Sequence, residues 1–88
     1  MSITGLGITG WKVAQFVERN ATKNNQRTFT TIKNGRYVIR TDLNNGTYSR
    51  TVINTNKEGV ATEVYSDMFL RCAKKLKEKL ISFAQSQN

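Results

Sequence analysis

Thr28-Phe29-Thr30-Thr31-Ile32-Lys33-Asn34-Gly35-Arg36-Tyr37-Val38-Ile39-Arg40 decides how this chain is read. Two runs rich in β-branched and aromatic residues flank a bare Asn34-Gly35. A type I′ turn needs positive φ at both central residues, so Asn-Gly between strand-like runs predicts a two-residue hairpin. Lys33 then faces Arg36, Ile32 faces Tyr37, Thr31 faces Val38, Thr30 faces Ile39 and Phe29 faces Arg40. Side chains alternate between faces along a strand. One face therefore carries Ile32, Tyr37 and Ile39 and is expected inside. The other carries Phe29, Thr31, Lys33, Arg36, Val38 and Arg40 and is expected outside.

Asn44-Asn45-Gly46 is the next turn. Read as a second two-residue loop, it pairs Leu43 with Tyr48 and Ile39 with Val52. Leu43, Tyr48 and Val52 then join the core face, while Thr51 and Ile53 join the basic face. Arg50 would point inward and have to snorkel outward. A three-residue loop with a bulge is the other reading of this turn. Asn54 to Gly59 forms a looser turn, and Val60 to Tyr65 reads as a fourth strand with either face eligible for the core.

Helices flank this meander. From residue 10 to 23, Val13, Ala14, Val17 and Ala21 recur at helical spacing with Phe16 beside them. Thr9 or Gly10 starts this helix and Asn24-Asn25 ends it. Trp11 lies off the stripe and is expected to fold back onto the sheet, as a large aromatic in a small domain usually does, with exposure for a partner as the other reading. The second helix spans 67–86, with Ser66 or Asp67 as its cap. Phe69, Cys72, Ala73, Leu76, Leu80, Phe83 and Ala84 form its apolar stripe, and Arg71, Lys74, Lys75, Glu78 and Ser82 its polar face. Residues 1–9 read as a loop or short edge segment whose Ile3, Leu6 and Ile8 tuck against the core.

The expected fold is α+β: a helix, a four-stranded antiparallel β-meander over 27–65, and a helix. Both helices pack on one face of the sheet, a two-layer sandwich in a single domain of 88 residues. The order of elements is similar in topology to whirly-type single-strand-binding proteins and to double-stranded-RNA-binding modules. None of their signature residues is matched, so no family membership is read from it.

Composition narrows the function. The chain has no histidine, one cysteine (Cys72) and six acids without paired spacing. Histidine-based metal sites, hydrolytic triads and Cys-His dyads are thereby excluded, and no enzyme, cofactor or small-molecule substrate is expected. Cys72 sits on an apolar stripe and reads as a small hydrophobe. Gly5-Leu6-Gly7-Ile8-Thr9-Gly10 matches a nucleotide-binding string but follows no predicted strand and lies in no βαβ unit, so it is not read as one. No signal-like or membrane-spanning run is seen, and a cytoplasmic or other reducing location is expected.

Fourteen Lys and Arg against six Asp and Glu leave a net charge of +8. That excess favours phosphate backbones or acidic proteins as partners. Phe29, Lys33, Arg36 and Arg40 on the outer sheet face are the first candidate site, since bases stack on aromatics while phosphates pair with cations. Lys74 and Lys75 on the last helix are the second. The expected function is a small non-enzymatic nucleic-acid-binding module of weak sequence preference, favouring single strands. The alternative is a protein-interaction module that meets an acidic surface. A homo-oligomer is compatible with either.

Overall fold

The computed structural model describes residues 2–67 and 73–87 and, for 73–75, the backbone alone. It is an α+β chain with seven elements among the described residues: β1 (Ser2–Thr4), α1 (Gly10–Lys23), β2 (Arg27–Lys33), β3 (Arg36–Asp42), β4 (Tyr48–Thr55), β5 (Ala61–Ser66) and α2 (Ala73–Ser86). The sheet has five strands, not four, in the order β1-β5-β4-β3-β2. Every neighbouring pair is antiparallel. The additional strand comes from the first residues, where Ile3 pairs with Val64. Ile3, Leu6 and Ile8 are buried, as expected.

The first hairpin has the expected register, from Lys33–Arg36 out to Arg27–Asp42. Asn34 and Gly35 both take positive φ, 52° and 74°. Thr55 fastens the tip: its amide and its hydroxyl both donate to the Gly35 carbonyl, at 3.0 and 2.6 Å.

The second turn departs from the two-residue reading. Leu43 N–H donates to the Thr47 carbonyl at 2.9 Å, which closes a three-residue loop of Asn44, Asn45 and Gly46. Only Gly46 has positive φ here, at 85°. Asn45 instead uses its side chain, whose Oδ1 accepts from the Thr47 amide at 3.2 Å and hydroxyl at 2.6 Å. A type I turn followed by a left-handed glycine is the usual form of such loops. Ile39 thus pairs with Thr51 rather than Val52. A shift of one residue turns every side chain of β4 to the other face. Thr51 and Ile53 are inside, fully buried, and Arg50 and Tyr48 are outside. Leu43, Tyr48 and Val52 are not core residues; Tyr48 is 51% exposed.

β5 breaks the simple alternation. Asn54 pairs with Glu63 and Thr55 with Ala61, so Thr62 is an extra residue in the ladder. That bulge lets Ala61, Val64 and Ser66 all face inward. Val60 lies outside the strand and forms an isolated bridge with Thr9.

α1 has the expected bounds. Thr9 caps it, its hydroxyl accepting from the Lys12 amide at 3.2 Å. The helix lies against β2, β3 and β4. Val13, Ala14, Val17 and Ala21 are buried on it. Leu76, Leu80 and Ala84 of α2 belong to the same buried cluster, together with Ile39, Ile53 and Val64. The Phe16 and Phe83 rings lie 5.1 Å apart. Trp11 is not folded onto the sheet; it is 57% exposed. Ile32 is on the inner face yet 60% exposed, because β2 is the sheet's edge.

Phe69 and Cys72 fall outside the described residues, as do positions 68–72 of the second helix as read from sequence. Asp67 is engaged with β4: the Ser49 hydroxyl and, at 3.2 Å, the Arg50 amide donate to its carboxylate. Ser66 lies in β5, where its hydroxyl accepts from Thr51 at 3.0 Å.

The glycine-rich string does follow a strand, β1, and does open into α1. However, the strands either side of α1 sit at opposite edges of an antiparallel sheet. The string therefore lies in no βαβ unit, and its glycines serve the turn and the close seating of α1.

Candidate nucleic-acid interface

The pairing registers assign the outer face of the sheet row by row. Arg27, Asp42 and Tyr48 are one row. Phe29, Arg40 and Arg50 are the next. Thr31, Val38, Val52, Tyr65 and Ser2 follow, and Lys33, Arg36, Asn54, Glu63 and Thr4 complete the face. The cations Arg27, Lys33, Arg36, Arg40 and Arg50 outnumber the acids Asp42 and Glu63. Three aromatic rings share this face, Phe29 at 55% exposed, Tyr48 at 51% and Tyr65 at 41%.

Four sequence-predicted site residues, Phe29, Lys33, Arg36 and Arg40, thus stand on one surface. Lys74 and Lys75 lie in the first turn of α2, and their side chains are outside the described residues. Tyr48, Arg50 and Tyr65 were not in the sequence-based site. The first two were assigned inward by the two-residue reading of the second turn. The signal against that reading was Arg50 itself, a charge that would have had to reach out from a core face.

Two like-charged pairs stand directly opposite one another, Lys33 with Arg36 and Arg40 with Arg50. Such pairs destabilise a sheet. Arg40 is partly compensated. Its Nε donates to Asp42 Oδ1 at 3.0 Å, and its guanidinium carbon lies 4.3 Å from the centre of the Tyr48 ring. Among the described residues, Arg27, Lys33, Arg36 and Arg50 form no ion pair. A shallow depression lined by Thr31, Lys33, Asn34, Arg36, Val38 and Asn54 lies at the hairpin end of this face.

No group of His, Cys, Asp or Glu among the described residues could hold a metal ion. No helix among them is long and apolar enough to cross a membrane. Compared with protein-family models, curated proteins and solved structures, the chain matches none.

Proposed function

We propose that this chain is a small non-enzymatic module that binds nucleic acid, single strands above all and with little sequence preference, on the outer face of its sheet. In this reading α1 and α2 form one layer against the opposite face, so the outer face is left open. The observation that carries the proposal is the two like-charged cross-strand pairs, Lys33–Arg36 and Arg40–Arg50, of which only Arg40 has a counter-charge among the described residues. They cost stability unless an anion lies between them, and departures from local rules of this kind concentrate at functional sites.

The aromatic rings favour a single strand. Phe29 and Tyr48 are two strands and two residues apart, which ordinary sheet spacings make roughly 12 Å. Bases stacked within a duplex cannot reach rings so placed; bases splayed from a flexible strand can. Arg40, between them, is held over Tyr48 and bonded to Asp42. Fluorescence anisotropy of labelled single strands at rising salt tests the reading. Binding that weakens steeply with salt, and a weaker response for duplex of equal length, are expected. Absence of binding to any single or double strand at low salt would overturn the reading and leave an acidic protein surface as the ligand for the same face.

A further inference from the structure

β2 is the one long edge of the sheet. It has seven residues and, among the described residues, pairs only with β3. The opposite edge, β1, has three. Proteins commonly protect an edge by shortness, proline, a bulge or central charges. β2 has an unbroken register, the chain has no proline, and its cations stand only at the two ends, Arg27 and Lys33. Large apolar side chains are exposed on both of its faces, Phe29 outside and Ile32 inside.

We propose that two copies of the chain pair through β2, antiparallel about a two-fold axis, to form one continuous sheet. A two-residue hairpin makes Lys33–Arg36 a hydrogen-bonded pair, so Arg27, Phe29 and Thr31 also turn their backbone groups toward β3. Thr28, Thr30 and Ile32 then turn theirs outward, a row that complements itself.

Charge selects the register. Centred on Thr30, the pairing would set Arg27 against the partner's Lys33 twice. Centred on Phe29, it sets Thr28 against the partner's Thr30, Arg27 against the partner's Thr31, and the two Phe29 rings against each other. The second has no directly opposed like charges and gains an aromatic pair at a closely spaced position. Trp11 belongs to the same junction. Trp11, Gln15 and Glu18 share a helix face, and Glu18 accepts from the Thr30 hydroxyl at 2.6 Å, so this side of α1 looks over β2. The exposure of Trp11 is then that of a surface awaiting the second copy. The pairing stands independently of oligonucleotide binding, but it would join two basic faces into one.

Sedimentation equilibrium of the nucleic-acid-free protein tests this. Each copy carries +8, so association must strengthen with salt, opposite to oligonucleotide binding. Between about 50 mM and about 500 mM salt the dimer fraction should rise, with a blue shift of emission from Trp11, the single tryptophan. Ile32→Lys should abolish the dimer, since a charge on an edge strand opposes pairing. Gln85→Lys, which adds the same charge on exposed α2 surface, should leave it. A monomer at every salt, a dimer that survives Ile32→Lys, or equal loss with Gln85→Lys would each overturn the proposal. A monomer that still binds oligonucleotide would overturn it while leaving the functional reading intact.

Discussion

Gly10 is the residue on which α1 seats itself. A Cβ built there would lie 2.5 Å from Thr55 Cγ2 and 2.9 Å from Tyr37 Cε1. Helix propensity alone would favour Ala over Gly by about 1 kcal/mol. The close approach opposes that, because overpacking a tight contact usually costs about 1–3 kcal/mol. Gly10→Ala is therefore expected to lower the urea midpoint; a raised midpoint would show that the helix can lift without loss. Nothing in the residues around Gly10 betrays this role, since the contact depends on Tyr37 and Thr55, far along the chain. By contrast the core stripe was legible from spacing alone: Leu76, Leu80 and Ala84 are buried where helical periodicity put them. Leu80 is 1% exposed, so Leu80→Ala should destabilise by about 2–5 kcal/mol in a denaturant titration. An effect below about 0.5 kcal/mol, the range of surface substitutions, would remove it from the core.

At the scale of elements, the two Asn-Gly turns show what local sequence can settle. Asn34-Gly35 has both residues at positive φ, and its register follows from the dipeptide. In Asn44-Asn45-Gly46 the same dipeptide appears, but Asn45 spends its side chain on Thr47 and leaves Gly46 alone in the left-handed region. The three-residue loop that this side chain bridges sets which face of β4 is buried. The bulge at Thr62 hid the inward face of β5 in a similar way, by breaking the alternation that would have revealed it. The register of β4 has a direct test. With Ile53 fully buried and Arg50 exposed, Ile53→Ala should cost about 2–5 kcal/mol. Arg50→Ala should stay within about 0.5 kcal/mol. The two-residue register would exchange those outcomes, so one pair of unfolding curves separates the two.

For the whole molecule, the outer face concentrates the charge that composition could only count. Part of that face was legible: the first hairpin alone placed Phe29, Lys33, Arg36 and Arg40 together. Arg50, Tyr48 and Tyr65 joined only when the sheet closed, because their sides depend on the second loop and on a bulge in β5. On the proposed reading the cations would not be equivalent as phosphate ligands. Arg40 is shared with Asp42 and Tyr48, whereas Arg36 and Arg50 form no ion pair among the described residues. Each phosphate neutralised on a single strand adds about 0.7 to the slope of log affinity against log salt. Replacing Arg36 and Arg50 with Ala should thus lower that slope by roughly one to two. Tyr48→Ala should weaken single-strand binding by about 1–3 kcal/mol with the slope nearly unchanged, since stacking releases no counterions. Asp42→Asn should act in the opposite direction from the arginine changes, because it removes a repulsive carboxylate and frees Arg40 for phosphate. Its loss costs little stability, as an exposed ion pair contributes about 0–1 kcal/mol. The Lys74→Ala, Lys75→Ala pair locates the contact. If those changes abolish binding while the Arg36, Arg50 and Tyr48 changes leave it, the ligand lies on α2. If the sheet changes move slope and affinity separately, phosphates and bases are both read on the outer face.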